Sequence, residues 1–186
     1  TRELETLFDQ GNDLRRRLDS DRRCFAFFHP ALSGEPLIFV EVALTNGLAS
    51  SIQSVLTEPV LTEEGADTAI FYSISNCHVG LRSVSFGDSL LKQVVALLQS
   101  EVPTLKQFAT LSPVPGFMKW LKDEEPAVAE LVSAVMTDEG KEGLAEMEGQ
   151  LKRLCAKYLL YAKRGIYPLD PVARFHLRNG AILHAM

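Results

Sequence analysis

The chain has 186 residues, 46% of them apolar and 23% charged, with 12 Gly, 9 Pro and a formal net charge of −5. That is enough chain for one soluble globular domain that buries roughly two thirds of the surface its unfolded form exposes. The acidic balance counts against a nucleic-acid partner, which needs clustered Lys and Arg to neutralise phosphates, and no apolar run approaches the ~20 residues of a membrane span, which counts against a membrane partner.

Three Cys, at 24, 77 and 155, form neither a disulfide ladder nor a CxxC site, which points to a reducing, cytoplasmic setting. Four His without paired spacing give no metal signature. The chain starts at Thr1 and stops at Met186, just inside the apolar run Ala181-Ile182-Leu183. It reads as a piece of something longer with its last strand incomplete, which leaves organellar targeting open.

Along the chain, Leu4, Leu7, Phe8, Leu14 and Leu18 give a helical period over residues 2–18, broken at Gly11. Its basic tail, Arg15-Arg16-Arg17, suits a helix C-terminus and is expected to be a solvated helix end rather than an anion site. Two strand-like runs follow, Cys24–Phe28 and Leu37–Leu44, joined by a segment holding Pro30, Gly34 and Pro36, and they predict an antiparallel hairpin. Both are nearly apolar throughout, so the sheet is expected to be covered on both faces. Glu41 interrupts them, either as a charge at a sheet edge or in solvent, or as a site carboxylate.

Residues 46–68 read as loop with one short helical piece. A third strand, Ala69–Ser75, is followed by a loop of small and polar residues from Asn76 to Gly87. An amphipathic helix then runs from Asp88 to Ser100, and a short strand, Phe108–Ser112, stops at Pro113-Val114-Pro115-Gly116. Strand, loop, helix and strand make a βαβ unit, whose two strands should be parallel. Pro126 opens a further helix carrying Val128, Leu131, Val132 and Val135. The Gly- and Glu-rich stretch Thr137–Gln150 reads as a surface loop, and Leu151–Lys163 as a helix closed by Lys163-Arg164-Gly165.

Chemistry has three places to sit. The loop Val79-Gly80-Leu81-Arg82-Ser83-Val84-Ser85-Phe86-Gly87 precedes a helix, where backbone N–H groups and small residues suit a phosphate. It lacks both the GxGxxG and the Walker pattern, and loops of this kind are common. Ser112 lies where a strand ends and Pro113 restricts its backbone, so it either bonds a ligand at a strand C-terminus or satisfies a local turn. His176 lies between Phe175 and Leu177, as a core or turn residue or as a proton carrier. His29, His78 and His184 read as turn, loop and chain-end residues, and Cys24 and Cys77 as buried inert thiols. GxSxG is absent, so there is no nucleophile elbow.

Four stretches of this sequence resemble the malonyl-CoA decarboxylase family. They are Arg23-Cys24-Phe25-Ala26-Phe27-Phe28-His29-Pro30 with Leu37–Thr45; Phe71-Tyr72-Ser73-Ile74-Ser75 with the Gly80-Leu81 loop; Leu111-Ser112-Pro113-Val114-Pro115-Gly116-Phe117; and Pro171-Val172-Ala173-Arg174-Phe175-His176-Leu177-Arg178-Asn179-Gly180-Ala181. The resemblance implies an α+β or α/β fold, a GNAT-like (N-acetyltransferase-like) mixed sheet flanked by helices. Residues 1–20 would be a helical remnant of a preceding helical domain and 21–186 the catalytic domain. It also implies catalytic roles for Ser112 and His176, and a coenzyme A diphosphate cradled by residues 79–87. In that loop the acetyltransferase pattern Gln/Arg-x-x-Gly-x-Gly/Ala aligns with Arg82–Gly87, with Ser85 standing where the first Gly is usual.

The implied reaction converts malonyl-CoA to acetyl-CoA and CO2 with no metal and no cofactor, because the thioester carbonyl delocalises the enolate left by CO2. Ser112 would orient the carboxylate or thioester, and His176 would donate a hydrogen bond and a proton. A homo-oligomer assembled through the absent helical domain is also implied. The rival readings are an acyl-CoA-dependent N-acyltransferase on the same fold and a non-catalytic coenzyme A-binding module.

Overall fold

The computed structural model describes residues 16–32, 34–78, 86–137 and 141–185. They divide into two compact units, Thr1–Ser112 and Pro113–Met186. The amphipathic pattern over residues 2–18 falls mostly outside the described part.

In the first unit the two apolar runs form β1 (Arg22–Phe28) and β2 (Pro36–Thr45), paired antiparallel as predicted. The third strand, β3 (Thr68–Asn76), pairs antiparallel with β2, and β4 (Gln107–Thr110) pairs parallel with β3, giving a mixed sheet of order β1-β2-β3-β4. Between β2 and β3 lie α1 (Ile52–Thr57), capped by the Ser51 hydroxyl, and a short 3-10 turn at Glu63–Gly65. Between β3 and β4 runs α2 (Phe86–Glu101), the expected crossover helix.

The sheet is buried by a helix on each face. Leu90, Val94 and Leu98 of α2 pack with Ile38, Val40, Val42, Leu44 and Phe71, while Val55 of α1 packs with Ala43, Ile70 and Tyr72. At its edge the expectation fails. β1 alternates partly buried Phe25 and Phe27 with exposed Cys24, Ala26 and Phe28, because α1 reaches only β2 and β3. Cys24 is therefore exposed rather than buried, and so is Cys77 at the end of β3. Glu41 lies on the central strand β2, 8% exposed and 2.6 Å from Arg17, so it is not a sheet-edge charge.

Of the basic run, Arg16 and Arg17 are not solvated side chains. Arg16 grips Asp21 with two nitrogens, at 2.5 and 2.8 Å, and reaches the carbonyls of Glu58 and Pro59. Burial would raise the Asp21 carboxyl, but the bonds from Arg16 and the Leu61 N–H, with the nearby guanidinium charges, hold it below its ordinary value.

In the second unit α3 (Phe117–Glu124), α4 (Pro126–Thr137) and α5 (Lys141–Tyr161) pack around Leu121, Ala129 and Val132. Pro126 opens α4 as predicted. Residues 141–150 are helix, not loop: Met147, Leu151 and Leu154 are spaced to lay one face of α5 on that core, and this packing overrides the glycines. The predicted close of this helix is also displaced. Lys163-Arg164 pair with Tyr167-Pro168 as the small hairpin β5–β6, and Gly165, at φ +66°, supplies its turn. A last helix, α6 (Pro171–Arg178), follows, and the apolar run at 181–183 forms no strand.

Candidate active site

Ser112 follows the point where β4 leaves the sheet. The parallel pairing ends at Phe71 with Thr110, and the Leu111 N–H donates to the Phe71 carbonyl at 3.0 Å, one residue short of Ser112. The strand thus stops two residues earlier than predicted, because Pro113 has no N–H to extend a ladder and confines its predecessor. Ser112 is half-buried, at the C-terminal end of a parallel strand. Beside it, β3 carries a bulge: Glu41 faces Ser73 and Val42 faces Phe71, so Tyr72 is the extra residue.

His176 is the sixth residue of α6, half-buried, its ring edge-on to Phe175 at 5.1 Å. Burial lowers its pKa from the usual 6.5, so the imidazole is neutral at pH 7. Both ends of this short helix are tied down. At the N-terminus Asp170, 1% exposed, accepts the N–H groups of Val172 at 2.9 Å and Ala173 at 3.0 Å, and Pro171 follows it at the first helical position. At the C-terminus the N–H groups of Asn179 and Ala181 donate to the His176 carbonyl.

The other carboxylate oxygen of Asp170 links two distant stretches of sequence. It accepts the Gly116 N–H at 3.1 Å, from the turn that follows Ser112. The Tyr158 hydroxyl of α5, on a residue 2% exposed, also bonds Asp170; burial first, then the charge and hydrogen bond of Asp170, raise its pKa and keep it protonated. Gly116 has no room for a side chain here, since a Cβ would lie 2.1 Å from the Tyr158 hydroxyl oxygen and 3.2 Å from Asp170 Oδ2. Phe117, Trp120 and Tyr158 close an aromatic cluster over this point, with ring centroids 5.3–6.1 Å apart. Sequence reasoning passed over Asp170 and Tyr158, although Asp-Pro is a helix-start signal.

The expected phosphate loop falls largely outside the described residues: Val79, Gly80, Leu81, Arg82, Ser83, Val84 and Ser85 lie there, and Phe86 and Gly87 are the first residues of α2. His78 lies 3.8 Å from Glu35, the His29 ring accepts the Ala31 N–H, and His184 is exposed. Among the described residues no cluster of His, Cys, Asp and Glu is arranged to hold a metal, and no helix is long and apolar enough to cross a membrane.

Known proteins resemble this chain along nearly all of its length. It is 40% identical to the mitochondrial malonyl-CoA decarboxylase of Anser anser anser over 92% of this chain and 41% of that protein. To the mitochondrial enzyme of Mus musculus it is 40% identical, over 92% of this chain and 42% of that protein. The chain thus spans about two fifths of the length of the curated relatives it matches. Among solved structures, malonyl-CoA decarboxylase from Agrobacterium vitis superposes with a TM-score of 0.82 at 45% identity, covering 92% of this chain and 46% of that one. That from Rhodopseudomonas palustris gives 0.77 at 44% identity, covering 92% and 43%. The profile of the malonyl-CoA decarboxylase C-terminal domain matches residues 8–186. This chain therefore belongs to the malonyl-CoA decarboxylase family, in its C-terminal domain.

Proposed function

We propose that the protein decarboxylates malonyl-CoA to acetyl-CoA and CO2. The observation that carries this reading is identity at 40% over 92% of the chain to proteins named for that reaction. The finer fold reading, a GNAT-like sheet, draws support from an antiparallel group followed by one parallel pair across a crossover helix.

The mechanism follows from the substrate. A carboxylate β to a thioester loses CO2 to leave an enolate, and the thioester carbonyl is itself the electron sink, so the step proceeds without a metal or an organic cofactor. The protein has to hold the carboxylate out of the thioester plane, stabilise the enolate oxygen and return a proton to carbon. Ser112, at the end of a strand, is assigned the orienting hydrogen bond. His176 is assigned the donor to the enolate oxygen and the proton path. A neutral imidazole can act there as an electrophile, and the pKa-lowering burial of His176 matches that form. Residues 79–87 are assigned the coenzyme A diphosphate, on the strength of their sequence pattern.

The test is the full-length protein with malonyl-CoA and no acyl acceptor. Release of CO2 and acetyl-CoA is expected, and free coenzyme A with no CO2 would sink the reading. His176→Ala is expected to lower kcat by ~10²–10⁴-fold while coenzyme A still binds.

A further inference from the structure

Asp170 is a buried carboxylate with four donors on it: the N–H groups of Val172 and Ala173, the N–H of Gly116 and the Tyr158 hydroxyl. Two of them belong to the helix that carries His176. The other two belong to different elements, the turn before α3 and the helix α5. A helix of only two turns has little stability of its own, so the direction of α6 is set by what holds its ends. A helix cap alone needs only one of the two oxygens; the second faces Gly116, where the absence of a side chain lets the Tyr158 hydroxyl and the backbone approach together.

We propose that Asp170 is a positioning residue: it locks the helix bearing His176 onto the Pro113–Gly116 turn, with the Tyr158 hydroxyl as a brace on its carboxylate. This inference rests on the functional reading above and adds a residue acting through His176, without contact to substrate. Arg174 strengthens the lock from the same helix by donating to the carbonyls of Pro168 and Leu169. The arrangement makes the placement of one imidazole depend on a carboxylate six positions earlier in the chain.

Asp170→Asn in the full-length protein separates the two halves of the role. Its amide oxygen still caps Val172 and Ala173, but an NH2 group now meets the Gly116 N–H, donor against donor. We expect kcat to fall ~10²-fold, as for a misplacement of about 1 Å, with KM for malonyl-CoA nearly unchanged; the donor clash also lowers the melting temperature, so activity is compared at a temperature where circular dichroism shows both proteins fully folded. In a His176→Ala background the same substitution should cost no further activity, because residues that act as a unit are not additive. Tyr158→Phe, which removes only the hydroxyl, should give the same pattern with a smaller drop. An unchanged kcat in Asp170→Asn overturns the proposal, as does an equal further loss in the His176→Ala background, or a loss that tracks unfolding. If the wild type releases no CO2, the functional reading fails on its own. The His176 ring signals in NMR then decide the positioning role: a shift on Asp170→Asn sustains it and an unmoved signal overturns it.

Discussion

His176 is half-buried on α6, and burial is the cause that lowers its pKa, so in the proposed reaction the ring takes part neutral. The sign of the pH dependence follows. Protonation removes the neutral form, so kcat/KM is expected to fall toward acid, about tenfold per pH unit below the lowered pKa. A mechanism using the imidazolium as acid would lose activity in the opposite direction, as pH rises. A pH–rate profile on malonyl-CoA distinguishes the two. Stability runs parallel: the unfolded ring takes up its proton near pH 6.5 and the folded ring only lower. The contribution of the neutral ring is therefore whole above pH ~6.5 and is lost as pH falls through the folded pKa. His176→Gln should flatten that part of the curve.

Among the elements, α5 shows most clearly what a local pattern conceals. Gly143 and Gly149 and a run of Glu made residues 137–150 read as loop, yet α5 runs unbroken from Lys141 to Tyr161. Gly149 is exposed, and a Cβ there would meet only the tip of Arg153 at 3.9 Å. Gly149→Ala should therefore stabilise the helix by about 0.5–1 kcal/mol. In a chain of this size that is a rise in melting temperature of about 1–4 °C, measurable by circular dichroism. A residue in a loop would give no such gain. The sheet was legible because β2 and β3 are long β-branched and aromatic runs bounded by turn residues, and because the stripe of α2 lies between β3 and β4. Two helices of eight residues, α3 and α6, and the two-residue strands of β5–β6 passed unseen, since so short an element leaves no period to read. The candidate site was drawn from the two strings around Ser112 and His176. Asp170 was not, because its meaning lies in a bond to Gly116, 54 residues away, and in a tyrosine on a third element.

For the molecule as a whole, the question is where the acyl group goes. An acyltransferase built on a sheet of this order would bind the same thioester, break the carbon–sulfur bond and pass the intact malonyl group to an amine. A decarboxylase breaks the carbon–carbon bond, keeps the thioester and must then protonate a carbanion equivalent. The two outcomes leave different marks on the product. In D2O the enolate CH2=C(O⁻)–S–CoA formed with CO2 takes up one solvent deuteron, so acetyl-CoA carrying a single deuterium in its methyl group is expected by mass spectrometry. If the proton reaches carbon through His176, His176→Ala lowers the rate at which this product appears and leaves its single label unchanged, because the substrate, not the protein, supplies the electron sink. Unlabelled coenzyme A accumulating in step with a malonylated amine would assign the chain to transfer chemistry instead. An overall charge of −5 does not stand against the anionic substrate in either case, since the groups assigned to it are local N–H and hydroxyl donors that need no net positive surface.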